Sequence, residues 1–349
     1  MDDFRRILVS RLRFMGDVIL TTPLVRALRK NFPQAHLAYL TEKTYASLLL
    51  HNPHLDEIIP FDREGFAKSN PIISAWAQAR FFHDLRKKHF QVGIDLLGIP
   101  RSALLLWVSG APCRIGGDFR LRRHLYTKRI KDDGQKKSAI EFHLQSLKAL
   151  GLSEDGYRTE VFTTAAEEAW AQSYLREKGL DQSWPIIGLH TGATWPAKMW
   201  LWERFAELAL RMRQELGARV ILTQGPGEAE LVAEIAAAVG DGIVTCELLN
   251  LRQLAALLKQ LDLYVSNDCG PMHLAVAVGT KTIGIFGPSE PDIWFPYDRQ
   301  NGHVAIHKNL PCHPCHQDFC EIMECMKEIQ VGDVFASVGE LLTSIQSSG

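Results

Sequence analysis

The sequence has no run of about 18 apolar residues, so it predicts no membrane-spanning helix. It has no signal-peptide core either. The opening MDDFRRILVSRLRFMGD offers only residues 7–9 as an apolar run, flanked by arginines, and this reads as a first strand. These absences predict a cytoplasmic protein. An excess of one charge is also missing. The formal net charge is -1, which predicts no nucleic-acid partner and leaves charge distribution to carry any partner argument. Seven cysteines, an odd number in a long chain without an export signal, argue against a disulfide framework. No short-period repeat, low-complexity segment, Walker phosphate loop or G-x-G-x-x-G turn occurs.

What is present is the composition of a globular protein, with 46% hydrophobic and 23% charged residues over 349 positions. That length suits two domains of roughly 150 residues each. Short apolar strands alternate with amphipathic helices. In the first half, strands are predicted at 7–9, 35–40, 57–60 and 91–96, and helices at 18–30, 41–50 and 71–88. The pattern breaks at 110–137, a basic, loop-rich stretch, and resumes with a helix at 141–150. A polar segment at 153–160 suggests the domain junction. The second half repeats the rhythm, with strands at 185–190, 219–224, 263–266 and 282–286, and helices at 201–216, 228–239, 251–260 and 271–278. Such alternation predicts parallel α/β sheets covered on both faces, with ligands beyond the carboxyl ends of the strands, in a cleft between the two units.

Four places carry candidate chemistry. Asp17 follows the first strand at the start of a helix. It is either a helix cap or a general base at the mouth of the sheet. His190-Thr191-Gly192-Ala193-Thr194 follows the strand at 185–190, with Lys198 beyond. Small residues there let backbone N–H groups approach an anion, and lysine adds a point charge, which suits a diphosphate; an ordinary turn with a surface lysine is the plain alternative. Asp268-Cys269-Gly270-Pro271-Met272-His273 follows another strand and opens a helix. Its free N–H groups suit phosphate, and Asp268 suits sugar hydroxyls; the plain reading is an Asp-capped helix with a core histidine. Finally Cys312, Cys315, Cys320 and Cys325, with His313 and His316 between them, are numerous enough for zinc but are not spaced as a familiar zinc finger. A thiol-lined structural loop without metal is the preferred expectation.

Together these motifs resemble the lipopolysaccharide heptosyltransferases of glycosyltransferase family 9. The resemblance rests on Phe14-Met15-Gly16-Asp17-Val18 with Thr22-Pro23, on Lys198-Met199-Trp200, on Gly225 to Glu228, and on Asp268 to His273 followed by Gly287-Pro288-Ser289. It implies a GT-B fold, two Rossmann-like domains at 1–160 and 161–328, with a C-terminal helix at 329–349 returning towards the first. It implies an ADP-heptose donor, inversion at the anomeric carbon, and no required cofactor or metal. Asp17 matches the general base, Lys198 the lysine at the diphosphate, and Glu228 the carboxylate at the ribose. The donor set it implies is Thr191, Gly192, Thr194, Lys198, Glu228, Asp268, Gly270, Pro271, Met272 and His273. Cys269 stands where many relatives have Ser or Thr.

On this reading Lys198 and the helix start at Gly270 stabilise departing ADP. Arg120 and Arg123, within the basic stretch, meet an anionic glycolipid acceptor at the inner face of the cytoplasmic membrane, so that association with the membrane is peripheral. A sugar-nucleotide epimerase of the same architecture is the alternative, and would leave the basic stretch without a role. A metal-binding module built on the cysteines would leave every other motif idle.

Overall fold

The computed structural model describes residues 4–118, 120–180 and 185–346, with the side chains of 120, 345 and 346 outside that description. The chain divides into two compact units, Met1–Phe162 and Thr163–Gly349. The first holds strands β1 (Arg6–Ser10), β2 (His36–Glu42), β3 (Glu57–Phe61), β4 (Val92–Asp95), β5 (Cys113–Gly117) and β6 (Lys128–Ile130). The second holds β7 (Ile186–His190), β8 (Arg219–Thr223), β9 (Ile243–Thr245), β10 (Leu263–Asn267), β11 (Lys281–Ile285) and β12 (His303–Ile306). Each unit forms one parallel sheet, in the orders β3-β2-β1-β4-β5-β6 and β12-β11-β10-β7-β8-β9. Both are the Rossmann order, as the α/β, GT-B expectation requires.

The order fixes where ligands can bind. The strand sequence reverses between β1 and β4 in the first sheet, and between β7 and β10 in the second. A crevice opens outside the carboxyl ends of the strands at such points. Strands β1, β7 and β10 lie in mid-sheet, covered on both faces, which is why they read as unbroken apolar runs; Ile7, Leu8, Ile187, Leu263 and Val265 are all fully buried.

Several elements differ from the sequence reading. The single helix expected at 18–30 is two, Met15–Ile19 and Thr22–Asn31. Pro23 has no N–H to give and its ring would clash with the carbonyl of Ile19, so the first helix stops short and the second starts around the proline. The helix expected at 41–50 loses its first two residues to β2 and becomes Lys43–Ala46 with a 3-10 turn at Ser47–Leu49. The basic stretch 110–137 contains two strands, β5 and β6. Gly116 lies in β5 because the Tyr126 ring covers it; a Cβ there would come within 2.5 Å of the ring. The C-terminal helix is present as Val331–Gln346, but its apolar face belongs to the second unit. Val334, Val338, Leu341 and Leu342 pack with Phe205 and Met212 of the helix Trp202–Leu216 and with Ile283 of β11. Burying that stripe is what holds the helix there.

A polar tie also joins two helices of the second unit. Arg252, at the start of Leu251–Lys259, donates from Nε to Glu167 Oε1 (2.8 Å) and from Nη2 to Oε2 (2.5 Å), and Glu167 lies in the first turn of Ala165–Glu177. The guanidinium bonds hold the Glu167 carboxyl down at about 2, against an ordinary 4.5. Its contribution is therefore complete above about pH 4.5 and is lost as the pH falls to about 2. Glu167→Gln should lower stability at neutral pH by about 1–2 kcal/mol, less than a fully buried pair since 24% of the Glu167 side chain is open to solvent. Urea unfolding should show the gap between variant and parent narrowing below about pH 4.5. A gap that does not change with pH would assign the loss to something other than the ion pair.

Candidate active site

The second unit assembles its site at the β7/β10 switch point. His190 and Ser266 are paired across the two strands, so the turns that follow them are neighbours. Asn267, fully buried, joins these turns. Its Nδ2 donates to Thr191 O (2.8 Å) and its Oδ1 accepts from Trp200 N–H (3.0 Å). The sequence reading gave Asn267 no role.

Lys198 and Asp268 form the centre of the site. Lys198 Nζ lies 2.6 Å from Asp268 Oδ2, and their side chains are 18% and 4% exposed. The Ser289 hydroxyl donates to the same Oδ2, and the Trp195 ring lies 4.7 Å from the ammonium. Just beyond, the helix Gly270–Ala277 begins at Cys269, whose side chain makes no cap. Burial pushes the Cys269 thiol up to about 12, so it is a neutral group and not a nucleophile. Pro271 has no N–H in the first turn, so Gly270 offers the free donor there, and the helix dipole favours an anion.

Glu228 lies on the other side of the Thr191-Gly192 turn. Its Oε2 accepts from Gly225 N–H (2.6 Å) and faces His190 Nε2 at 3.6 Å. Gly192 makes this approach possible, since a Cβ on it would fall 2.0 Å from the Glu228 carboxylate. Burial lowers the His190 pKa, against the pull of Glu228, and His190 Nδ1 meets the Thr223 hydroxyl at 3.1 Å.

The remaining sequence candidates in this unit differ in what they offer. Thr191 is buried with no hydrogen-bond partner for its hydroxyl, whereas Thr194 is exposed. Pro271 is partly exposed at the helix start. The Met272 side chain is fully buried against Phe286 and Phe295. His273 is buried, with Nδ1 2.7 Å from the Tyr297 hydroxyl.

The cysteine segment braces this site. Cys315 N–H and His316 N–H both reach Pro288 O (3.1 and 3.0 Å), His313 Nε2 lies 3.1 Å from Ser289 O, and Asp318 O accepts from Ala197 N–H (3.1 Å). The segment thereby touches the loops on both sides of the Lys198–Asp268 pair. All four thiols are free, and burial raises the pKa of Cys325. Among the described residues no group of three His, Cys, Asp or Glu side chains is arranged to hold a metal ion.

In the first unit, Asp17 follows β1 at the third position of Met15–Ile19. It is not the cap residue. Its carboxylate reaches back to accept from Phe14 N–H (3.2 Å) and pairs with Arg11, which also donates from Nε to Arg13 O (3.0 Å). With 15% of the side chain exposed, the carboxylate is fixed and half-buried at the surface. At the end of β4, Asp95 is fully involved in structure. It accepts from Tyr126 OH (2.6 Å), Ser102 Oγ (2.8 Å) and the N–H groups of Leu97 and Gly98, while burial raises its pKa. Arg123 is exposed; the Arg120 side chain lies outside the described residues. The structure adds an open cavity of about 420 Å³ at the carboxyl ends of β2 and β3, lined by Glu42, Lys43, Asp62, Arg63 and Lys68 among others. Its residues come from separate segments, so no sequence motif marks it.

Comparison with known proteins agrees with this fold. Residues 78–325 match the model for glycosyltransferase family 9 (heptosyltransferase). A curated relative, lipopolysaccharide heptosyltransferase 3 of Escherichia coli, is 27% identical over 95% of this chain and 98% of its own. Among solved structures, a glycosyl transferase of family 9 from Veillonella parvula superposes with a TM-score of 0.85 at 26% identity over 98% of both chains. The E. coli ADP-heptose lipopolysaccharide heptosyltransferase II superposes at 0.80 and 22% identity, over 98% of this chain and 99% of that one. The family match covers well over half of the chain, across β4 to β12 and every site of the second unit; this protein belongs to glycosyltransferase family 9, the heptosyltransferases, and is a transferase enzyme.

Proposed function

We propose that the enzyme moves heptose, with inversion, from ADP-heptose to an anionic inner-core sugar of lipopolysaccharide. The observation that carries this reading is the Lys198–Asp268 pair, set beside an uncapped helix start at a switch point of the second sheet. A lysine beside the positive end of a helix dipole is what a departing diphosphate needs. Lys198 and Ser289 both meet Asp268 at Oδ2, which leaves Oδ1 as the oxygen for a donor hydroxyl. Glu228, held against the Thr191-Gly192 turn, takes the ribose hydroxyls.

A sugar hydroxyl is a poor nucleophile at neutral pH, and inversion calls for a base opposite the leaving group. Asp17 fills that role. Arg11 and the Phe14 N–H fix its orientation, one on each carboxylate oxygen. The acceptor's anionic groups meet the basic stretch 110–137, with Arg120 and Arg123 the residues expected to hold them. The enzyme needs no cofactor for these steps, since charge and position supply them.

Three outcomes follow. Lys198→Ala should weaken ADP binding by about tenfold or more in calorimetry and slow transfer, as expected for loss of a charge-assisted contact; unchanged affinity with normal turnover would remove Lys198 from the site. Replacing Arg120 and Arg123 with Ala should raise the acceptor KM and flatten its salt dependence. A change confined to the donor KM would mean that this surface serves something else. Asp17→Asn keeps an oxygen for the Phe14 N–H and loses the charge that Arg11 pairs with. It should lower kcat by about 10²–10⁴ while ADP affinity holds, and near-normal turnover would reduce Asp17 to a structural carboxylate. Assays run with ADP-heptose and no acceptor complete the set, because sugar epimerisation there would favour the epimerase.

A further inference from the structure

The helix Pro71–Arg86 turns an apolar face to solvent. Of its sixteen residues only Ser74 and Leu85 are buried. Trp76, Ile72 and Ile73 are 76%, 71% and 64% exposed. Ile72 and Trp76 are four residues apart and lie on one line along the helix, which Arg80 continues. Single exposed apolar side chains are ordinary on protein surfaces, but three on adjoining turns are not. The face also continues beyond this helix. Pro71–Arg86 packs on Pro100–Val108, which exposes Leu104 and Trp107, and that helix packs on the 3-10 turn Arg120–Leu125, where Leu121 is 84% exposed.

The elements that carry this face are basic. The helix bears Arg80 and Arg86 against Asp84, Pro100–Val108 bears Arg101 and no acidic residue, and the 3-10 turn bears Arg122 and Arg123. Some of the cations have partners: Arg80 lies 3.8 Å from Asp84, and Lys68 lies 3.2 Å from Glu64. Both pairs are largely solvated and hold their cations weakly. A positive surface with Trp and Ile at its centre does not suit a second copy of itself, because a twofold contact would set like charge against like. It does suit the interfacial zone of an anionic bilayer. There an indole sits at headgroup depth, Ile enters the acyl boundary, and Arg or Lys reaches the phosphates. No helix among the described residues is long and apolar enough to cross a membrane, so the contact would be a surface one.

We propose that the exposed face of Pro71–Arg86, centred on Ile72, Ile73 and Trp76, is a docking surface for an anionic phospholipid bilayer. The inference rests on the function proposed above in one respect: a lipid-anchored acceptor gives the enzyme reason to work at a membrane. The surface itself binds lipid without any acceptor.

The test is co-sedimentation of the full-length protein, acceptor absent, with vesicles of phosphatidylethanolamine and phosphatidylglycerol, and with vesicles of phosphatidylcholine alone. The parent protein should bind the anionic vesicles, bind the neutral ones less, and release as salt rises. Ile72→Ser, Ile73→Ser and Trp76→Ser combined should lower the partition coefficient about tenfold or more. These side chains are already in water, so the thermal transition should hold, and transfer to a soluble deacylated acceptor should stay within about twofold. Arg80→Glu, which leaves the apolar face intact, should also weaken binding to the anionic vesicles. Failure of the parent to bind vesicles, or equal binding by the triple variant, overturns the surface. So does a parent oligomer in sedimentation velocity that the triple variant dissolves, since that would make the face a self-contact. Vesicle binding lost in the variant, with no heptose transfer by the parent, would support the surface and overturn the proposed function.

Discussion

Two opposite charges held at the ends of neighbouring strands govern the second unit. Lys198 and Asp268 are both mostly removed from water, and a desolvated pair is stable only when its geometry is good and its remaining valences are met. Much of the local structure supplies this. Ser289 donates to Asp268 from the loop after β11, Asn267 fixes the two turns that present the pair, and the cysteine segment supports the loops on either side. The same arrangement makes the site receptive. On the function proposed above, a diphosphate arriving at Lys198 would take over a charge that Asp268 already neutralises, so the ammonium would exchange one anionic partner for another.

Glu228 shows a second kind of constraint, one of space. Its carboxylate lies where a side chain on Gly192 would have to be, and His190 and Gly225 hold it there. The three residues come from the ends of β7 and β8 and from the turn between them in space, so the identity of one restricts the others. A glycine here serves close approach, not an unusual backbone angle.

The mid-sheet strands are legible in the sequence because burial on both faces demands an unbroken apolar run, as in β1, β7, β10 and β11. The edge strands β6, β9 and β12 are not. Each has three or four residues and one side without a partner strand, and β6 carries the exposed Lys128 and Arg129, which protect an edge but hide the pattern. The helix Ala165–Glu177 had a readable signal that the apolar rhythm overshadowed: Thr164 and Glu167 form a capping box. In the site, the turns after β7 and β10 stand out through small residues beside a charge. Arg11, Asn267 and Ser289 do not. Asn267 meets Thr191 and Ser289 meets Asp268 across long stretches of chain, and such partnerships leave no local spacing to read. Met272 and His273 stand within a recognisable motif, yet their side chains face the interior; a motif marks the backbone's course more securely than each side chain's direction.

The strand order has a consequence for how the chain comes into being. In each unit the first strand made ends at the centre of the sheet, with its first neighbour on one flank and its other flank unfilled until β4 or β10 arrives. For β1 that means waiting from residue 10 to residue 92, and for β7 from residue 190 to residue 263. During synthesis, each half-made sheet therefore presents its central strand as an open edge for the time taken to add those residues, several seconds or more at about 5–20 residues per second. An edge of that kind can pair with any other nascent strand. The emerging chain thus has two separate intervals of greatest need for a chaperone, one per unit, and each closes when the central strand gains its second neighbour.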